Sequence, residues 1–175
     1  MSMHIILDGY NVIRQSRRLS RKDREDIQMG RDALMDRLAA YKKLRGHRMT
    51  VVFDGGNAPH FSRQRDRVKG IDVVYSRAGE TADRVIQRMA GKHRETALVV
   101  SSDREVADYA ARQGCATVSS PEFEEKMEMA LYMNEKGLIE PDGESGGWTP
   151  TTRKKGPRRR LPKHQRRNKR KLRRL

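Results

Sequence analysis

The sequence predicts one three-layer α/β domain with a mainly parallel five-stranded sheet, followed by a basic C-terminal tail. Two observations carry this expectation. Short apolar runs alternate along the chain with segments whose apolar residues recur at helical spacing, the pattern of a parallel sheet covered on both faces. The charge is also unevenly placed: 14 of the 39 Lys and Arg residues lie from Arg153 onward, where there is no acid. The rest of the chain then holds 25 basic residues against 23 acidic ones and is close to neutral. A run so charged repels itself and cannot bury enough apolar surface to offset its ordering entropy. It is expected to be disordered and to bind a polyanion.

The elements follow in order. Met3 to Leu7 is an apolar run ended by Asp8-Gly9, read as a buried strand stopped by a turn. A basic segment from Arg14 to Arg24 comes next, read as a loop. Ile27, Leu34, Leu38 and Tyr41 then share a helical face, which Gly46 closes. Met49 to Phe53 is the second strand, ending at Asp54-Gly55. A polar loop, Ser62 to Gly70, leads to a third strand, Ile71 to Tyr75. Thr81 to Lys92 carries Ala82, Val85, Ile86 and Met89 on one helical face. Ala97 to Val100 is the fourth strand, running into Ser101-Ser102-Asp103. A helix through Val106 and Ala110 closes at Gly114, and Cys115 to Val118 is the fifth strand. The last helix starts at Pro121, with Phe123, Met127, Ala130 and Leu131 inward. These readings divide the chain into a domain at 1–136, a linker at 137–152 and the tail at 153–175.

Several function classes are disfavoured. A single cysteine, Cys115, permits no internal disulfide and fits a reducing compartment; its apolar neighbours make it a buried structural thiol. No run approaches a membrane span and no signal pattern precedes Asp8, so a cytoplasmic protein without a membrane partner is expected. The glycines spell neither dinucleotide fingerprint nor P-loop, which argues against a nucleotide cofactor. The five histidines are scattered, without zinc-ligand spacing, and are expected at surfaces or strand ends.

The carboxylates are the informative feature. Three predicted strands deliver an aspartate at or just after their carboxyl ends: Asp8, Asp54 and Asp103. In a parallel sheet all three emerge on one edge, where α/β ligands bind. Glu80 and Asp83, three apart at a helix start, are expected to face that edge together. Each acid has an ordinary explanation, since Asp-Gly is a turn signal and Ser-Ser-Asp a helix cap. Gathered on one edge, they repel one another by about 1–4 kcal/mol per close pair unless a cation neutralises them. All-oxygen donors favour Mg²⁺ or Mn²⁺, which can activate water and stabilise charge on a phosphoryl group. Asp54 is the weakest member of the set, because its turn role suffices.

Leu7-Asp8-Gly9-Tyr10-Asn11-Val12-Ile13 resembles the opening motif of NYN domains, a branch of the PIN-like nuclease superfamily. Val51-Val52-Phe53-Asp54-Gly55, Glu80-Thr81-Ala82-Asp83-Arg84-Val85-Ile86 and Val100-Ser101-Ser102-Asp103-Arg104 agree in order. The set, over residues 3–135, is similar to the YacP-like subgroup of bacterial NYN proteins. This resemblance implies a PIN-like (Rossmann-like) fold with sheet order 3-2-1-4-5 and metal-dependent endoribonuclease activity. It implies Asp8, Asp83 and Asp103 as the metal-binding acids. Asn11 would orient the first acid or a metal-bound water, and Glu80 would be an outer ligand or base. Many PIN-like sites carry another acid one turn beyond the position of Asp103; here that residue is Ala107, and Asp108 falls one residue late.

The basic segments complete the expectation. Arg14, Arg17 and Arg18 follow the first acid, and Arg63 and Arg65 follow the second strand, so both segments start at the acid edge. Ser101 and Ser102 are placed to cap a helix or touch phosphate. In the tail, Arg158, Arg159, Arg160, Arg166 and Arg167 stand without any aromatic residue, so phosphate contact rather than base stacking is its mode. The partner expected is RNA, with structured or ribosome-associated RNA the leading candidates. The expected reaction is phosphodiester hydrolysis leaving a 5′-phosphate and a 3′-hydroxyl. The alternative is a catalytically inactive RNA- or ribosome-binding adaptor that works through the tail; DNA as substrate stays open, because the phosphate chemistry is the same.

Overall fold

The sheet is built from β1 (His4–Asp8), β2 (Arg48–Phe53), β3 (Arg65–Val68), β4 (Ile71–Tyr75), β5 (Ala97–Val100) and β6 (Ala116–Val118). The computed structural model describes residues 3–57, 64–137 and 162–175. Strand order is β3-β4-β2-β1-β5-β6, with every neighbouring pair parallel except β3 and β4. The five expected strands are present in the expected order. The sixth, β3, lies within the segment expected to be a polar loop. It has only Val68 as an apolar residue, and its side chains are exposed or half-buried. A charged edge strand needs only backbone pairing, and its charges discourage further strands from adding to it.

Alternation along the strands sorts the core into two layers. Ile5, Leu7, Met49, Val51, Phe53, Leu98 and Val100 face α1 (Gly9–Gln15), α3 (Ile27–Arg45) and α6 (Ser120–Glu135). Ile6, Val52, Val74 and Val99 face α4 (Ala82–His93) and α5 (Arg104–Arg112). Period-two burial on both faces is what a sheet buried on both sides requires. Gly46 ends α3 in the left-handed conformation, φ 65°, that a side chain disfavours. Cys115 is buried, as expected, with its thiol against the Ala90 carbonyl. Two histidines are strand-end residues and buried: His4 opens β1 and bonds Thr50, and His47 directly precedes β2 and meets the Arg174 carbonyl.

The segment from Arg14 to Arg24 is helical rather than a loop. α1 ends at Gln15, Ser16 caps α2 (Arg17–Glu25), and Leu19 alone anchors α2 in the core. Its solvent face is so basic that the helical pattern is almost hidden.

The expectation of a disordered tail also fails for its last part. Residues 153–161, with Arg158, Arg159 and Arg160, lie outside the described residues, as does Arg63. Beyond them, α7 (Lys163–Leu172) docks on the domain. Arg167 and Lys171 reach Glu95, Lys171 also donates to the Ala97 carbonyl, and Leu172 and Leu175 enter the core. Asn168 fills the open edge of β6: its Oδ1 accepts from the Thr117 amide at 2.9 Å and its Nδ2 donates to the Thr117 carbonyl at 3.3 Å. One face of a polycation is thus folded by specific anchors, while Arg166, Lys169, Arg170 and Arg173 stay exposed. Leu175 is 4% exposed and its carbonyl accepts from the Tyr41 hydroxyl at 2.6 Å. Leu175→Ala should therefore cost about 2 kcal/mol, near the low end for buried leucines. A urea midpoint equal to wild type would show that the docking contributes nothing.

Candidate active site

Asp8 ends β1 and caps α1, so strand geometry and helix start fix it together. Its Oδ1 accepts the Asn11 amide at 3.2 Å, and the Ser101 hydroxyl approaches Oδ2 at 3.5 Å. Gly9 follows because no side chain fits there: a Cβ would stand 2.3 Å from the Phe53 ring. Asp103 is the cap of α5, its Oδ1 accepting the amides of Glu105 at 2.8 Å and Val106 at 3.2 Å. Asp83 lies in the first turn of α4, behind the cap Thr81. Asp54 holds the turn after β2 by accepting the Gly56 amide at 3.1 Å.

These side chains share one electrostatic neighbourhood. Burial pushes the Asp8 carboxyl up to about 6, and the charges of Asp83 and Asp103 push the same way. Burial also raises Asp83, helped by Asp103, Glu105 and Asp54. Asp8, Asp54 and Asp83 line an open cleft of about 340 Å³ with Tyr10, Asn11, Arg14, Gln15 and Thr81. The acids from β1, β2 and α4 therefore meet as expected, and Asp103 stands close enough to act on both Asp8 and Asp83.

Other expected residues are placed differently. Glu80 precedes the cap of α4, outside the helix, and pairs with Arg88 instead of joining the cleft. The three-residue spacing puts two side chains on one face only when both lie in the helix. Asn11 orients Asp8 through its backbone; its side-chain Oδ1 accepts the Ser102 amide at 2.9 Å and the Ser120 hydroxyl at 2.6 Å. Ser102 in turn receives the Ser120 amide at 3.2 Å. Asn11 and Ser102 thus lock α1, the β5–α5 turn and α6 together. Arg14 lines the cleft and lies 5.6 Å from the Tyr10 ring centroid. Arg17, Arg18 and Arg65 are exposed on α2 and β3. Arg167 is turned inward to Glu95, while Arg166 is exposed. Both belong to α7, which meets the strands at their amino ends, roughly 15 Å from the acids by the length of a five-residue strand.

Sequence reasoning missed Glu105, Arg31 and the support that Ser101 gives to Asp8. Glu105 adds to the acid field; it is one helical residue among many, and only the turn of α5 brings it near Asp83. Ser101 supports both Asp8 and the Asp103 amide, the latter at 3.2 Å. Buried Arg31 donates to the Tyr10 hydroxyl at 2.9 Å and packs beside the rings of Tyr10, Phe53 and Tyr75. Nothing local in the sequence announces a buried arginine in the middle of α3.

Among the described residues, no three acidic, histidine or cysteine side chains form a ready-made metal cage. The donors are all oxygen, one is buried, and neighbouring carboxylates raise the proton affinity of Asp8 and Asp83, which a hard cation would relieve. Mg²⁺ commonly uses only one or two carboxylates plus waters and substrate phosphate, so an open acid cleft fits it.

An acid-lined cleft at the carboxyl edge of a parallel sheet, with helices on both faces, has the layout of a PIN-like nuclease domain. The chain belongs to the YacP-like NYN domain family, which it matches over residues 5–174, a span that includes α7. It is 28% identical over 86 residues to the uncharacterized protein YacP of Bacillus subtilis (strain 168), covering 49% of this chain and 50% of that protein. The match therefore spans only half the length of this relative. Two crystal structures of Rae1 (YacP) from Bacillus subtilis, one a point mutant, are similar in fold. The mutant gives a TM-score of 0.64 at 25% identity, covering 78% of this chain and 80% of that one. The other gives 0.63 at 26% identity, covering 79% and 80%.

The buried acid makes a stability prediction. The folded Asp8 carboxyl titrates above its unfolded counterpart, so ionisation costs the native state. That cost is full above about pH 6 and absent below about pH 4; two pKa units correspond to about 3 kcal/mol. In EDTA, Asp8→Asn should raise Tm at pH 7, by roughly 2–4 °C for each kcal/mol relieved. The gain should shrink as pH falls from 7 to 5. Equal gains at both pH values would show that the carboxylate charge is not the source.

Proposed function

We propose that the chain is a metal-dependent endoribonuclease that hydrolyses RNA phosphodiester bonds. The observation that carries this reading is the buried carboxylate of Asp8, held up to about 6 beside Asp83 and Asp103 above an open cleft. Perturbed acids converging in a cleft are what phosphoryl chemistry uses. Asp8, Asp83 and Asp103 would hold Mg²⁺ or Mn²⁺, which supplies water activation and charge stabilisation at the phosphorus when bound.

The chain's own groups do the positioning. The Asn11 amide and the Ser101 hydroxyl hold Asp8, and the α5 amides hold Asp103 through Oδ1, so both carboxylates would meet an ion with their orientation already set. Asp54 adds a further carboxylate to the cleft lining and would accept hydrogen bonds from water around a bound ion. Arg14, at the cleft wall and beside the Tyr10 ring, supplies a donor for a substrate phosphate. Glu80 is assigned no part in proton transfer, since Arg88 holds it as a paired carboxylate below its ordinary range.

RNA is proposed as the substrate on the strength of the sequence resemblance to NYN domains; exposed Arg17, Arg18 and Arg65 offer phosphate contacts near the acid edge that serve RNA and DNA alike. Structured or ribosome-associated RNA is the substrate class proposed. The exposed basic face of α7 favours a second reading, an adaptor that holds RNA without cutting it, because that face lies at the opposite edge from the acids.

One assay separates the two. End-labelled RNA and single-stranded DNA would be incubated with wild type and Asp103→Asn in Mn²⁺, Mg²⁺ or EDTA. The nuclease reading expects RNA cleavage that EDTA abolishes and that the variant lowers by about 100-fold or more, the loss of a few kcal/mol of transition-state stabilisation. No cleavage under any ion, with salt-sensitive RNA binding intact in both proteins, would favour the adaptor.

A further inference from the structure

A second hollow adjoins the acid cleft. It has a volume of about 580 Å³ and is lined by Gln64, Arg65, Arg77, Glu80, Arg84 and Arg88, with the Ala78–Gly79 backbone at its base. Four guanidinium groups from β3, the β4–α4 connection and α4 thus surround one carboxylate. Among the described residues only Arg88 meets an acid, Glu80; Arg65, Arg77 and Arg84 have no carboxylate within ion-pair distance. Arg77 uses Nε to donate to Gln64 at 3.2 Å, which aims its guanidinium without neutralising it. Arg84 and Arg88, four apart on α4, are like charges on one face, an arrangement that destabilises a helix unless an anion answers it.

Position gives the cluster its meaning. Residues 79–84 wall both hollows: Thr81, Ala82 and Asp83 face the acid cleft, while Gly79, Glu80 and Arg84 face the basic one. The two share the start of α4 as a common ridge. A polyanion reaching the carboxylates would be repelled by them before any cation is bound, so attraction has to come from beside the site.

We propose that Arg65, Arg77 and Arg84 form a phosphodiester-binding subsite that grips the backbone of a single-stranded RNA next to its cleavage point. Glu80, neutralised by Arg88, keeps the hollow open and polar without cancelling its charge. Among the described residues no aromatic side chain lines it, so those residues read backbone and not bases. The subsite rests on the nuclease reading for its place on the substrate, but its binding is independent of catalysis.

The test is binding of an end-labelled, unstructured RNA oligonucleotide in EDTA, by fluorescence anisotropy across a salt series. Wild type would be compared with the triple variant Arg65→Gln/Arg77→Gln/Arg84→Gln and a charge-matched control, Lys43→Gln/Arg112→Gln/Lys136→Gln. All six residues are exposed, so folding is expected to survive. The subsite expects the slope of log K against log salt to fall by about 2 in the first variant alone, roughly 0.7 for each phosphate no longer neutralised. Affinity should drop at least about tenfold. With Mg²⁺ or Mn²⁺ present, KM for RNA should rise while kcat stays near wild type. Equal slopes in wild type and the subsite variant, or equal losses in both triple variants, would overturn the proposal. If no protein cleaves RNA yet the selective slope change appears, the subsite stands and the catalytic reading fails.

Discussion

The structure turns on a carboxylate placed where it is costly. Asp8 ends a fully buried strand at the middle of the sheet, and its oxygen starts the next helix. β1 can carry Asp8 to that point only because β2 and β5 flank it in parallel. Those same neighbours deliver Asp54 and Asp103 to the same edge. The parallel sheet therefore concentrates negative charge, and helix starts partly offset it with backbone amides. The amides at Asp8 and Asp103 lower the cost; burial and mutual repulsion outweigh them at Asp8, whose carboxyl stays high. Such residual strain is expected of a site whose charge is balanced by what it binds.

How much of this was legible in the sequence depended on whether the deciding contact was local. The strand-end aspartates were legible because a strand, its stop and the next cap are consecutive in sequence. The five parallel strands announced themselves as apolar runs. β3 did not, since Arg65, Asp66 and Arg67 carry no apolar signal and the strand exists through backbone pairing to β4. α2 was hidden for the same reason, with Leu19 its only buried anchor. Glu80 illustrates a subtler failure. Its spacing from Asp83 suggests one helical face, but Thr81 caps between them, so Glu80 is released toward Arg88. The triangle of Asn11, Ser102 and Ser120 joins α1 to residues 91 and 109 positions away, which no local pattern encodes.

The tail shows how composition can mislead about order. A segment with 14 basic residues and no acid reads as a polymer that cannot fold. The domain supplies what the segment lacks: Glu95 for Arg167, an unpaired edge of β6 for Asn168, and apolar space for Leu172 and Leu175. Folding is thus secured by these few residues on one side of the segment, and the remaining cations ride along. Asn168 has a second effect, since an open edge on β6 would otherwise invite another strand.

Charge placement then constrains how any polyanion approaches. The formal charge of +16 suggests attraction everywhere, but much of it belongs to residues beyond 152, and α7 sits at the amino ends of the strands. The acid cleft itself is locally negative. Long-range attraction screened beyond about 8–10 Å cannot carry the effect of α7 along the length of the strands. Cations that matter at the cleft must therefore lie within that distance of it, on the α1 and α4 walls. Arg14 on one wall and the arginines around Glu80 beyond the other meet this condition; those of α7 do not. Under the nuclease reading, capture on α7 and alignment at the cleft are separate events, and a strand long enough to touch both is held at two points with the acids near one of them.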